Sequence, residues 1–376
     1  MLTYLLTNIW NWMKSIAVCG HFALGKEKYD GQTVKTRIVA EELKNQIGDK
    51  WLWYIDTCGV FNVCLMLPRL LWALIICKDI LIFPAENALK ISSVWLRFWN
   101  LLFKRNLHYI VIGGWLPEYL QKHVRIANAL FHFKYIYVET LNMKKALCKM
   151  GYNNIVVLPN CKNLTILKSY ELPQSYNLPL RLVTFSRVMK EKGIEDCINA
   201  VINVNEKMGA NIFSLDIYGQ IDPNQYDWFN ELLKTTIRNF NSFIQYKGVV
   251  PFNESTKVLC DSYALLFPTY YEGEGFAGTL IDALAVGIPV VASDWRYNKE
   301  IISDGITGKI ISLSNDNSDY ASEENALERI MILEEALLWI YNHQKEWNSM
   351  RVNCLNVAAN YVPQNVIPIL IKKLHQ

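Results

Sequence analysis

A chain of 376 residues, 51% hydrophobic and 19% charged, carries enough apolar material for two cores, which excludes a disordered chain and suits two domains. Charge is unevenly spread: residues 1–175 hold 21 Lys and Arg against 11 Asp and Glu, a net of +10, while the rest hold 17 against 24. A basic first half suits an anionic partner such as a membrane surface. At a formal net charge of +3 the whole chain makes no case for nucleic acid.

The N-terminal segment MLTYLLTNIWNWMKS lacks a basic leader and a small-residue cleavage site, so it does not read as a secretory signal. The nine cysteines are odd in number and include no CxxC pair. Neither a disulfide framework nor a zinc site is expected, and a reducing cytoplasm is the expected location. The longest apolar stretch is broken at Pro68-Arg69 and closed at Lys78, and its uninterrupted part, 70–77, is too short to span a bilayer.

Short apolar runs alternate with helical patterns along the whole chain, the signature of βαβ units. Strands are predicted at 15–19, 51–56, 79–83, 108–112, 135–138 and 155–158, with helices over 32–46, 89–105 and 117–131. In 89–105, Ser93, Arg97, Asn100 and Lys104 share one helical stripe and aromatics occupy the other faces. Two readings stay open there: an interfacial membrane anchor, or a helix packed on its sheet. Residues 170–180, with two prolines and little periodicity, are the best candidate linker. The alternation restarts with strands at 181–185, 213–218, 243–247, 264–267 and 289–292, then a long helical pattern over 322–346 and a last helix in the tail. The expected organisation is an N-terminal domain over 1–175, a C-terminal domain over 176–358, and a helix over 359–376 that crosses back to the first domain. Two doubly wound sheets bind ligands outside the carboxyl ends of their strands, which by itself says only that the chain handles nucleotides.

The chemistry concentrates in residues 267–300, FPTYYEGEGFAGTLIDALAVGIPVVASDWRYNKE. A strand leads into a glycine-rich acidic loop, and a helix opens near Gly278. Glycines let backbone approach a ligand, and a helix start aims free N–H groups and a positive dipole at the same spot, which suits a diphosphate. Glu274 on the loop and Asp282 in the helix are separated by seven residues. An acid on the loop can bind sugar hydroxyls and one further along can bind ribose. Glu272 offers a rival register for the first acid. A second motif, TFSRVMKEKGIEDCINAV at 184–201, places Arg187 after a strand and Lys192-Gly193 at a helix start, with Lys190 as a competing cation. Such cations can neutralise a leaving diphosphate. A third segment, GHFALGKEKYDGQTVKTR from Gly20, follows the first strand and opens the first helix.

The first segment resembles the E-x7-E motif of family 4 retaining glycosyltransferases, bacterial group 1 type, and the second resembles that family's GR…EKG element. The third looks like the family's N-terminal glycine-rich loop, with Asp30 where a first glycine is usual. The resemblance implies an α/β chain of GT-B fold: two Rossmann-like, doubly wound domains facing each other across a cleft. It implies transfer of a sugar from a nucleotide-diphosphate sugar to a glycan or lipid-linked glycan acceptor with retained anomeric configuration, as in capsule, O-antigen or exopolysaccharide biosynthesis. Carried onto this sequence, Glu274, Arg187 and Lys192 are catalytic. Gly31, Gln32, Gly275, Phe276, Ala277, Gly278, Thr279 and Asp282 bind the donor, with Asp282 on the ribose. Asp282 stands where the family has glutamate and Ala277 where it has glycine. Gly113-Gly114, Asn160 and Tyr218-Gly219 are weaker echoes. His21 is the histidine nearest the loop, and no role is expected for it.

No D-x-D acid pair occurs, so no metal and no cofactor beyond the donor are expected. Three alternatives remain: a soluble enzyme acting on a small molecule or protein, a catalytically silent GT-B subunit that binds a nucleotide sugar and supports a partner, and a GT-B-like epimerase.

Overall fold

In the computed structural model residues 16–25, 31–173, 175–251, 254–313 and 325–376 are described. They fall into two compact units, residues 1–163 with 361–376 and residues 164–360. The N-terminal segment, Ser15 and residues 26–30 of the first glycine-rich loop lie outside the described residues, as do residues 322–324 of the long helical pattern.

The first unit is a six-stranded, wholly parallel sheet in the order β2-β1-β3-β4-β5-β6. The elements run β1 (Ile16–Gly20), α1 (Gly31–Ile47), β2 (Leu52–Asp56), α2 (Val60–Ile76), β3 (Asp79–Ile82), α3 (Glu86–Phe103), β4 (Asn106–Ile110), α4 (Leu116–Lys122), α5 (Val124–Leu130), β5 (Tyr135–Val138), α6 (Leu141–Lys149) and β6 (Ile155–Val157). Strands buried on both faces need continuous apolar runs, and β1 (IAVCG) and β3 (DILI) are buried along their whole length. The order reverses between β1 and β3, so the first sheet has its switch point there.

The second unit is also six-stranded and parallel, in the order β12-β11-β10-β7-β8-β9. It runs β7 (Leu180–Phe185), α7 (Ile194–Met208), β8 (Phe213–Tyr218), α8 (Tyr226–Leu232), β9 (Ile244–Gly248), α9 (Ser255–Leu259), β10 (Ala264–Phe267), α10 (Gly278–Ala285), β11 (Val290–Ser293), α11 (Asn298–Ile301), β12 (Gly308–Ile311), α12 (Ala326–Asn342) and α13 (Gln344–Ala358). Its order reverses between β7 and β10, the two strands that feed the two motifs.

Several expectations are corrected. The units divide at 163/164, ahead of the proline-bearing stretch. Residues 164–173 belong to the second unit because they bond and pack there: Leu167 N donates to Ala285 O at 3.0 Å, and Leu172 is buried beside Gly287. The pattern 117–131 is two short helices parted at His123, whose φ of −130° leaves the helical region. The pattern to 346 likewise breaks at His343 and restarts as α13. The stretch broken on paper at Pro68 is one helix, α2, with the proline inside it. A twelfth strand, Gly308–Ile311, adds to the eleven that the sequence predicts.

The tail forms α14 (Pro363–Leu374), which buries Val366, Ile367 and Leu370 in the core of the first unit together with Val39 and Leu43 of α1.

Candidate active site

In the second unit the loops after β7 and β10 meet at the sheet's switch point. Gly193 makes the meeting possible. Its φ is +70°, and a β-carbon there would lie 2.8 Å from both the ring and the carbonyl oxygen of Pro268. Only glycine satisfies both the backbone conformation and the close approach. The neighbouring contacts lock the two loops together. Tyr270 N donates to Glu191 O at 2.8 Å, and the Thr269 hydroxyl lies 3.2 Å from the same carbonyl. Gly219 serves similarly at the end of β8: at φ +143°, a β-carbon would fall 1.7 Å from Ser186 O.

This packing brings Lys192 Nζ onto the Glu274 carboxylate. Both side chains are largely shielded, at 11% and 8% exposure, so the pair sits in a medium less polarisable than water, where charges interact strongly. Glu274 also accepts from Thr269 Oγ1 at 3.0 Å, and the ammonium lies 5.0 Å from the Tyr271 ring centre. Thr269 is in turn placed by Ser293 Oγ, which donates to its carbonyl at 2.6 Å. Glu272, the rival acid, is exposed.

The loop then enters α10. Its N-cap, Ala277, has no side chain to cap the free N–H groups of Gly278 and Thr279. The Thr279 hydroxyl is buried and makes no hydrogen bond among the described residues. Gly275 and Phe276 are buried at the turn, and Asp282 lies within α10 at 2% exposure. Arg187 stands apart from the Lys192–Glu274 pair. More than half exposed, it donates to Asp222 Oδ2 at 3.2 Å. The Asn224 backbone N–H and the Arg187 guanidinium hold the Asp222 carboxyl below its ordinary range. Lys190 lies 5.8 Å from the Trp228 ring centre.

The first unit has its own constellation at the β1/β3 switch point. Asp56, at the end of β2, accepts the backbone N–H groups of Phe22, Ala23 and Leu24 at 3.0, 3.3 and 3.2 Å, and that of Cys58 at 2.9 Å. Arg37 takes the carbonyls of Phe22 and Ala23 at 2.7 and 2.9 Å. Residues 22–24 are thus held by side chains, and their N–H groups are already engaged. Gly31, exposed, opens α1. The Gln32 side chain donates to Phe83 O at 2.9 Å and lines a cavity of about 30 Å³ with Cys19, Gly20, Met66 and Ser92. His21 pairs through Nδ1 with Thr33 Oγ1 at 2.7 Å. Among the weaker echoes, Gly113 N donates to Glu139, which also receives Lys35 at 2.5 Å, and Asn160 Oδ1 accepts its neighbour's N–H. Among the described residues no group of three or more His, Cys, Asp and Glu is placed to hold a metal ion.

Sequence reasoning missed Thr269, Glu191 and Asp56. Thr269 lies two residues beyond the end of β10, in the loop already singled out, and its place there is the one signal that could have flagged it.

Residues 179–329 match the family model of glycosyl transferases group 1. The GtfA subunit of the UDP-N-acetylglucosamine–peptide N-acetylglucosaminyltransferase of Streptococcus pneumoniae is 27% identical over 193 residues, half of this chain and 34% of that protein. The amylovoran biosynthesis glycosyltransferase AmsK of Erwinia amylovora is 27% identical over 150 residues, 36% of this chain and 35% of that protein. The chain thus spans about a third of the length of these relatives. Among solved structures, Anabaena HepE in complex with UDP and glucose shares the fold with a TM-score of 0.70 at 14% identity, covering 96% of this chain and 99% of that one. The two doubly wound domains are those of the GT-B fold. Residues 179–329 are thus similar to the glycosyl transferases group 1, the family that the motifs of the second unit resemble.

Proposed function

We propose that the chain transfers a sugar from a nucleoside-diphosphate sugar to a glycan or lipid-linked glycan acceptor with retained anomeric configuration, in the biosynthesis of a surface polysaccharide. The Lys192–Glu274 pair at the switch point of the second sheet carries this reading. It stands beside the uncapped start of α10, where N–H groups and the helix dipole favour a diphosphate. The Thr279 hydroxyl, in the first turn of the same helix, is buried with no hydrogen-bond partner among the described residues and is a further donor. In this mechanism Glu274 orients the donor sugar and holds Lys192. As the anomeric C–O bond breaks, negative charge grows on the departing diphosphate, and Lys192 and Arg187 stabilise it. The acceptor oxygen bonds to the anomeric carbon on the face the diphosphate leaves, and the departing oxygen takes the acceptor's proton, so no protein nucleophile is needed. Asp282 binds the ribose. AmsK acts in amylovoran biosynthesis by name, and HepE was crystallised with UDP and glucose, which supports a polysaccharide context and a nucleotide-sugar donor.

The test is a calorimetric screen across UDP- and GDP-sugars, followed by turnover with the tightest binder in excess EDTA. Binding with EDTA-resistant transfer and a product of unchanged anomeric configuration is expected. Activity lost with EDTA and restored by a divalent metal would refute the metal-free reading. Tight donor binding without transfer to any glycan acceptor points instead to the silent, partner-supporting subunit.

A further inference from the structure

We infer that the paired helices α2 and α3 form a docking surface for an anionic lipid membrane, lying in its interface without crossing it. The helix α3 packs inward through a mixed face, with Leu89 and Leu96 buried beside two serines, and leaves its larger apolar stripe outside. Ser92 and Ser93 are buried, and Ser93 Oγ satisfies itself on Leu89 O at 2.6 Å. The Asn100 side chain is spent on the backbone of Arg105, through contacts of 2.7 and 2.8 Å. The opposite face carries Ile91, Val94, Phe98, Leu101 and Leu102, with Phe98 63% and Leu102 71% exposed. Trp95 and Trp99, half-buried, flank this stripe. The adjacent α2 exposes a second apolar stripe, with Phe61 at 74% and Trp72 at 52%, followed by Ile75. Arg105 staples the two helices by donating to Leu74 O and Ile75 O at 2.8 and 3.0 Å, so the stripes form one platform. Solvent-facing apolar surface of this extent marks a contact site.

Charge decides the occupant. Lys90 and Arg97, seven residues apart, lie on one flank of the α3 stripe, and Lys104 follows at the end of the helix. Lys78 lies just beyond the end of α2. None of these four makes an ion pair with a carboxylate among the described residues. The helix α2 contains no acid at all, and α3 contains only Glu86, in its first turn. An apolar stripe with tryptophans on one flank and unpaired cations on the other matches the layered chemistry of acyl chains beneath anionic headgroups. A protein partner would need a matching acidic rim on one side only, whereas a leaflet of anionic lipid offers that charge everywhere. No helix among the described residues is long and apolar enough to cross a membrane, consistent with a helix pair that lies in the interface.

Docking requires neither donor nor turnover and is measured on the full chain by co-sedimentation with phosphatidylglycerol and with phosphatidylcholine vesicles. Binding to the anionic vesicles is expected, weakened by high salt. The double variants Phe98→Glu/Leu102→Glu and Lys90→Glu/Lys104→Glu should each lower partitioning about tenfold or more. All four positions are exposed, so thermal stability and calorimetric nucleotide binding should stay at the parent level. The idea is overturned if neither vesicle binds, if binding ignores lipid charge, or if the variants bind like the parent. It also fails if light scattering shows a dimer that Phe98→Glu/Leu102→Glu dissolves, because the face then belongs to a second copy.

Discussion

Lys192 and Glu274, 82 residues apart in the chain, close an ion pair over the switch point of the second sheet. The pair is almost dry, so each charge depends on the other, and an unpartnered charge in such surroundings is costly. Glu274→Gln keeps the shape and removes the charge; Lys192→Gln removes the cation. Both should lower kcat and kcat/KM together, by about 10²-fold or more, because each contact is worth most as charge develops on the leaving group. Steady-state kinetics beside Glu272→Gln decide the register. Should Glu272→Gln be inactive while Glu274→Gln keeps the parent rate, the first acid is the wrong residue.

Gly193 is the hinge that allows this pair. In Gly193→Ala the left-handed backbone costs about 1–2 kcal/mol, and the new methyl meets the Pro268 ring and carbonyl. Since Lys192 precedes it, the expected outcome is a loss of both melting temperature and kcat. Gly209→Ala, which shares the left-handed φ but has open space around it, isolates the backbone contribution. Equal destabilisation in the two variants would show that the approach to Pro268 does not matter.

Much of this was legible because buried parallel strands advertise themselves. Runs such as DILI and ALLF can hardly be anything else between helical patterns. Glycines and acids at the end of β10 likewise announced a ligand loop. What stayed hidden depends on contacts distant in sequence. Thr269 matters through Glu191 and Glu274, and Asp56 matters through residues 22–24. Periodicity showed that α3 has two faces but not which one turns inward, since Ser93 and Asn100 can satisfy their polar groups locally and tolerate burial. The strand Gly308–Ile311 (GKII) opens on a glycine and a lysine and so lacks the continuous apolar run of the others, and Pro68 reads as a break although the helix runs through it.

Asp282 is nearly fully buried in α10, which separates the effects of charge and size. Asp282→Asn keeps the volume. With the ribose contact proposed above, it should raise the donor KM with little change in kcat, by about tenfold to a hundredfold if one charge-assisted hydrogen bond is lost. Asp282→Glu restores the family's usual residue but adds a methylene to a packed site, at about 1–3 kcal/mol of stability. Retained activity with a lowered melting temperature is expected for it. Donor affinity unchanged in Asp282→Asn by calorimetry would remove this residue from the ribose.

Asp56 gives the first unit a pH dependence of definite sign. Burial pushes its carboxyl up, but the N–H groups of Cys58, Leu24, Phe22 and Ala23 together outweigh that, and the group titrates below its ordinary value of 3.8. A carboxyl whose folded value is depressed stabilises the fold fully above the unfolded value, and that stabilisation drains away as pH falls through the folded one. Asp56→Ala takes the acceptor from four partly solvated N–H groups and should cost about 1 kcal/mol near neutrality. The loop 22–24 would loosen first, its backbone then resting on Arg37, which holds the Phe22 and Ala23 carbonyls. Urea unfolding of parent and variant at pH 7, 4 and 3 measures the gap between them. The gap should be widest at pH 7 and narrow from about pH 4 downward, as the parent's carboxylate protonates. A gap that is the same at pH 3 as at pH 7 would mean that the charge on Asp56 contributes nothing and that the loop is held by shape alone.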